Sequence, residues 1–480
     1  MNAKSLIRGA LSALTMGVVV GSSTGHAQLT TAQKEDIGFT ALQAKLGASM
    51  PTGSGISVSQ VEAQEAGGNY RPSTTVFTDK NFIYGSGGST GASGHATTVG
   101  RYFYGSSSLA PNIGVSSSRV TVYDASGFIG SDFLNTSNTG ALPGVESNDI
   151  QNHSWVGSLS TTAQDVDALR RMDYAIQRDD FVATFGLNNG SGTTVPSLMA
   201  GSYNGIVVGR SDGQHSRGGI TLDGGFRTRP DIVVPTSATS WAAPTVGSAA
   251  ALLLETSKNT AGLANASKSV VVKSLLFTGA TRNEAEFGGA WSHTSTQPLD
   301  AVYGAGELNV LHSHDILVAG QQNAASAATV GSTGWDLGNS SSTVPQLYFF
   351  DLGSENSLFE IAASLVWNRD ITVADTQRGP GVNYTFTPSL ANLNLRLFSA
   401  NGFMLDSELM ASVSENDNVE LILASGLAPG RYAWQVSSDK SNIQYGFSWN
   451  VEGITAVAVP EPSVWMLVGA WVLVFRRKRR

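Results

Sequence analysis

The chain has 480 residues, a net charge of −8 and no cysteine, and its only basic run is the last five residues. Without cysteine there are no disulfides, thiolate nucleophiles or thiolate metal sites, and the acidic balance argues against a nucleic-acid partner. Its 41 % apolar content is enough to bury a core, so disorder is not expected. The low charged fraction of 14 % beside 54 glycines fits an extracellular protein rich in turns and loops.

Residues 1–27 carry Lys4 and Arg8, an apolar run over 10–20 and a small-residue end at Gly25-His-Ala27. That is the pattern of a cleaved export signal. Residues 28–50 form a short lead-in with helical spacing of apolar residues from Thr30 to Leu46. The following stretch reads as an α/β domain over 51–320, with buried parallel strands at 56–62, 181–185 and 206–208. Helices are expected at 163–177, opened by Thr161 or Thr162, and at 242–256.

Three segments of that domain carry candidate chemistry. The strand at 56–62 ends on Glu62, with Glu65 as a weaker candidate just beyond it. Of the seven histidines, only His95 opens a Gly/Ala/Thr-rich run able to become a close-packed helix. His26 leaves with the export signal, His153 falls in a strand, and His215, His293, His312 and His314 lie in polar, turn-like surroundings. Ser240 precedes a small-residue run ending in Pro244 that leads into an apolar helix. A hydroxyl there meets backbone N–H groups and a dipole that favour negative charge, as an attacking nucleophile requires.

These segments resemble the motifs of subtilisin-like serine peptidases. Ser237-Ala-Thr-Ser-Trp-Ala-Ala-Pro244 is similar to Gly-Thr-Ser-Met-Ala-Ala-Pro, and Ser93-Gly-His-Ala-Thr-Thr-Val-Gly100 to His-Gly-Thr-x-Val-Ala-Gly. Arg229-Pro-Asp-Ile-Val-Val-Pro235, Asp149 to Gly157, Ala183 to Gly190 and Tyr303-Gly-Ala-Gly-Glu-Leu-Asn309 resemble further blocks in the same order. The resemblance implies a doubly wound parallel-sheet fold and a secreted serine endopeptidase using Ser240 as nucleophile, His95 as base and Glu62 as acid. Glu62 departs from the family's Asp by one methylene, which Ser-His-Glu hydrolases tolerate.

The same resemblance implies Asn188 as oxyanion donor, with Asn189 as the near neighbour that could replace it. It implies Ser154, Trp155, Val156 and Gly157 as the strand that pairs with a peptide or protein substrate. Leu187 stands where the family has glycine beside the primary specificity pocket, so small or short apolar residues are expected before the scissile bond. Comparing cleavage after Ala and after Phe tests this, and faster cleavage after Phe overturns it. Trp241 replaces the usual Met. Calcium is common in the family, but the carboxylates here are too scattered to assign a site; no cofactor is otherwise expected. The alternative is a catalytically weak protein of the same fold that binds matrix or surface components.

Residues 321–342 are rich in Ala, Ser, Gly and Asn and read as a linker. Alternating apolar segments separated by turns at Ala428-Pro-Gly430 and Ala400-Asn-Gly402 then predict an antiparallel β-sandwich over 343–453. It is similar to the jelly-roll modules of secreted bacterial peptidases. Its aromatics Trp367, Tyr384, Trp434 and Trp449 are expected in the core rather than on a sugar platform. The chain closes with Val459-Pro-Glu-Pro-Ser463, an apolar run of about a dozen residues, short of the roughly 20 a spanning helix needs, and Arg476-Arg-Lys-Arg-Arg480. This tail over 459–480 resembles the PEP-CTERM sorting signal, which implies an exosortase-type partner, transient inner-membrane association and release to the cell envelope or outside.

Overall fold

The structure is a computed structural model that describes residues 15–16, 28–88, 91–282, 287, 289–354, 358–376 and 383–454. The sorting tail and nearly all of the export signal lie outside these residues. Two short helices come first, α1 (Thr31–Asp36) and α2 (Phe39–Leu46). A capping box starts α1: Thr30 accepts from the Gln33 N–H while the Gln33 side chain accepts from the Thr30 N–H.

Seven strands make one wholly parallel sheet: β1 (Val58–Glu62), β2 (Phe82–Tyr84), β3 (Val120–Asp124), β4 (Ile150–His153), β5 (Val182–Gly186), β6 (Ile206–Arg210) and β7 (Ile232–Val234). Their spatial order is β7-β6-β5-β4-β1-β3-β2. The order reverses at β1, the place where α/β sheets present ligand sites beyond their strand ends. Helices α3 (Gly94–Phe103), α4 (Thr162–Asp179), α5 (Thr239–Asn259), α6 (Ser269–Gly279) and α7 (Val310–Val318) complete this half. The expected helix at 163–177 is α4, with Thr161 as its cap.

The helix expected at 242–256 begins three residues earlier, at Thr239, and holds Pro244 within it. Its start is fixed from a distance, because the Asn189 Oδ1 accepts the Thr239 N–H at 3.0 Å. Small residues let α5 run buried from Ala242 to Leu254 beneath β4, β5 and β6. Gly247 shows why: a Cβ there would lie 2.9 Å from the Phe103 ring on α3. His312 and His314 lie on α7 rather than in turns.

The C-terminal half is a sandwich of two antiparallel sheets. One contains β8 (Gly334–Asn339), β10 (Leu358–Trp367), β15 (Val419–Leu427) and β17 (Gln444–Ile454). The other contains β9 (Gln346–Leu352), β13 (Leu393–Asn401), β14 (Met404–Ser412) and β16 (Gly430–Ser438). A side ribbon of β11 (Asp370–Asp375) and β12 (Tyr384–Ser389) lies against α4. Trp367, Trp434 and Trp449 are fully buried, whereas Tyr384 is half-buried on the ribbon.

The expected linker over 321–342 is only partly a linker, since β8 falls inside it and pairs with β17. Its glycines disguise a strand anchored by Trp335, which is fully buried and donates its indole N–H to the Leu317 carbonyl at 2.9 Å.

Candidate active site

Every residue of β1 is buried, although three of the five are polar. A strand covered on both faces must pair each such group internally. Ser59 donates to Glu146 Oε2 at 2.7 Å, and Gln60 donates to Glu62 Oε1 at 2.8 Å. Glu62, at the strand's C-terminal end, holds His95 Nδ1 with Oε2 at 2.8 Å.

His95 is the second residue of α3, which Ser93 caps by accepting the Ala96 N–H at 2.9 Å. Glu65 accepts the Gly94 N–H at 2.8 Å and the His95 N–H at 3.1 Å. Burial pulls the His95 pKa down. The Glu62 charge and hydrogen bond, with the Glu65 charge, outweigh it and leave the imidazole above 6.5. The other deeply buried imidazoles behave oppositely: burial brings His153 down to about 3 and His215 to about 4, so both stay neutral at physiological pH.

Ser240 is the second residue of α5, where backbone N–H groups have no intrahelical acceptor. Among the described hydrogen bonds its own N–H has none. Its carbonyl accepts from Ser154 Oγ at 3.0 Å, and its hydroxyl points to the Ser154 carbonyl at 3.5 Å. Pro244 leaves that carbonyl open to Ser154, because the i→i−4 donor to Ser240 is missing. Ser240 and His95 share one narrow cleft of about 20 Å³ with Ala63, Ser154, Trp155, Val156, Gly186, Leu187, Asn188, Asn189 and Thr239. No direct hydrogen bond joins them. Such contacts tighten when substrate arrives.

Trp241 has a visible place. Its indole stacks on Tyr102 at 5.6 Å between centroids and lies 5.4 Å from the His95 ring. Leu187 is buried in the cluster that also holds Trp155, Phe185 and Leu198. Ser154, Trp155 and Val156 follow β4 along one wall of the cleft, and beyond them Gly157–Ser158 pairs antiparallel with Thr15–Met16.

Asn188 and Asn189 both line the cleft, and their side chains are engaged differently. The Asn188 amide nitrogen donates to the Thr194 carbonyl at 3.0 Å. The Asn189 side-chain oxygen is fixed at the head of α5, and its amide nitrogen has no protein acceptor among the described hydrogen bonds. Sequence reasoning also passed over Gln60 and Tyr104, although a glutamine inside an otherwise buried parallel strand is itself a signal. Among the described residues, no group of three His, Asp or Glu side chains is arranged to hold a metal ion.

No family model and no curated protein matches the chain. Solved structures do match. A protease from Pseudoalteromonas arctica PAMC 21717 is 14 % identical, covering 57 % of this chain and 94 % of its own, with a TM-score of 0.34. The epidermin leader peptide processing serine protease from Staphylococcus aureus is 16 % identical, covering 62 % and 83 %, with a TM-score of 0.38. Tripeptidyl peptidase 2 is 11 % identical, covering 75 % and 40 %, with a TM-score of 0.31.

Proposed function

We propose that this chain is a secreted serine endopeptidase that cleaves peptide bonds through an acyl-enzyme, with Ser240, His95 and Glu62 as its triad. The observation that carries the reading is the 2.8 Å contact between His95 Nδ1 and the fully buried Glu62 carboxylate, opening on the cleft that holds Ser240. A carboxylate on Nδ1–H leaves Nε2 as the acceptor that takes the hydroxyl proton and returns it to the leaving amine. The acyl-enzyme is then cleaved by water activated through the same imidazole.

The tetrahedral oxygen is received by the Ser240 N–H together with a side-chain amide. Asn189 rather than Asn188 fits that role, because Asn189 is tied to the residue before Ser240 and its amide nitrogen is uncommitted. The wall from Ser154 to Gly157 receives an extended peptide as an added strand. Leu187, on the cleft wall, favours small or short apolar residues before the scissile bond. Export, sorting by an exosortase-type enzyme and transient membrane association remain part of the proposal, resting on the two chain ends alone.

The test is active-site labelling of residues 28–458 with a fluorophosphonate probe. Rapid labelling that disappears in both Ser240→Ala and His95→Ala is expected. A folded protein that does not label overturns the reading in favour of a binding protein built on the same fold.

A further inference from the structure

A glutamate has one more rotatable bond than an aspartate, so an acid arm of this length needs something to hold it. The groups behind Glu62 form a short buried chain. Tyr104, following α3, donates its hydroxyl to Gln60 Oε1 at 2.5 Å. The Gln60 amide donates to Glu62 Oε1 at 2.8 Å and to the Ala96 carbonyl at 2.9 Å. Gln60, Glu62 and Tyr104 are all fully buried.

The direction of this chain is fixed by its chemistry. A backbone carbonyl and a carboxylate oxygen are both acceptors, so only the NH₂ end of Gln60 can face them. Its carbonyl end must then face Tyr104, which has a proton to give. Burial, then the charges of Glu62 and Tyr84, hold the Tyr104 phenol well above its ordinary pKa, so it remains a donor. With Oε1 occupied by Gln60, Glu62 presents Oε2 to His95. Ala96 is the residue after His95, so one amide ties the acid on β1 and the start of the helix carrying the base.

We infer that Gln60, oriented by Tyr104, is the positioning residue of this triad: it clamps Glu62 and the head of α3 at the separation that lets Glu62 meet His95 Nδ1. This rests on the assignment of Glu62 as the acid. It accounts for how the longer acid is accommodated: Gln60 sits two residues earlier, on the same face of the strand, where its side chain reaches the carboxylate from behind.

The test compares Gln60→Met, which keeps the volume and removes the donor, with Tyr104→Phe and Glu62→Ala. Two readouts are followed: hydrolysis of a peptide p-nitroanilide with Ala before the scissile bond, and the downfield Nδ1 proton resonance of His95 without substrate. In Gln60→Met, kcat falls about ten- to hundredfold, the size of a lost hydrogen bond to a charged group, with KM held. The downfield proton broadens or disappears. Tyr104→Phe shows the same changes to a smaller degree, and it carries the test if Gln60→Met does not fold. A Gln60→Asn variant, which keeps the amide on a shorter stem, restores part of kcat. Wild-type kcat and an intact downfield proton in folded Gln60→Met, while Glu62→Ala is slow, overturn the positioning role alone. Unimpaired hydrolysis by Glu62→Ala overturns the triad assignment itself.

Discussion

Asn188 and Asn189 are adjacent and chemically identical, yet their surroundings separate them. A side-chain amide can stabilise an oxyanion only if its N–H is aimed at the reacting carbon and not spent elsewhere. Asn188 donates to the Thr194 carbonyl, just past the turn from Gly190 to Thr193, so it braces a loop. Asn189 accepts from Thr239 and so is fixed one residue from the nucleophile. Asn189→Ala is therefore expected to lower kcat about a hundred- to thousandfold with little change in KM, the usual loss for one such donor. Asn188→Ala is expected to leave kcat nearly unchanged and to cost mainly stability. Steady-state kinetics of the two variants decide it, and the reverse order of effects restores Asn188 to the role. The sequence pattern puts Asn188 first and Asn189 second, because the contact that ties Asn189 to Thr239 joins distant parts of the chain and no local pattern encodes it.

Helices α3 and α5 show which elements were legible. The Gly/Ala/Thr run after His95 announced α3, and its cap, Ser93, lies in the same stretch of chain. The apolar run after Pro244 announced α5, but its first turn was hidden because Ala238 offers no side-chain cap and Asn189 supplies one from elsewhere. Strand β8 was missed for a related reason: it is held by Trp335 reaching α7, while its own residues look like a linker. Glu65 is a cap of this long-range kind as well, binding the first N–H groups of α3 from the loop after β1. A carboxylate there meets the positive end of the helix and also faces the His95 charge. The substitution Glu65→Gln keeps an acceptor and removes the charge. The sign follows directly: Glu65 is one of the influences that raise the His95 pKa, so removing its charge lets that pKa fall. The base must be neutral to act, so activity rises as pH passes its pKa. In Glu65→Gln the acid limb of kcat/KM is expected to move to lower pH, away from a wild-type midpoint above 6.5. A limb that stays put or moves up assigns Glu65 to helix capping alone.

At the scale of the molecule, composition suggests two separate units, and the packing joins them. The largest hydrophobic cluster runs from the parallel-sheet half into Trp335, Val366, Val419 and Leu421 of the sandwich. Helix α6 lies so close to β17 that a Cβ on Gly446 would sit 2.4 Å from the Val270 carbonyl. Four hydroxyls knit that contact: Ser274 meets Ser448 at 2.7 Å and Thr278 meets Ser364 at 2.8 Å. Beside them Arg369 of the sandwich, itself buried, binds Asp173 on α4 at 2.7 Å and Asp223 at 2.9 Å. Asn204 and Asn418 exchange hydrogen bonds with backbone across the same seam. Cutting the chain between the halves would leave this apolar surface and these buried charges without partners. Removing one member of a buried ion pair alone costs about 3–5 kcal/mol. The mature protein is therefore expected to unfold in a single calorimetric transition whose van't Hoff and calorimetric enthalpies agree. Arg369→Ala is expected to lower the midpoint of that one transition without splitting it, and fluorophosphonate labelling is expected to be lost at the same temperature as the sandwich. Two resolved transitions, with labelling surviving the first, would show instead that the sandwich is an appended module and that the peptidase half stands without it.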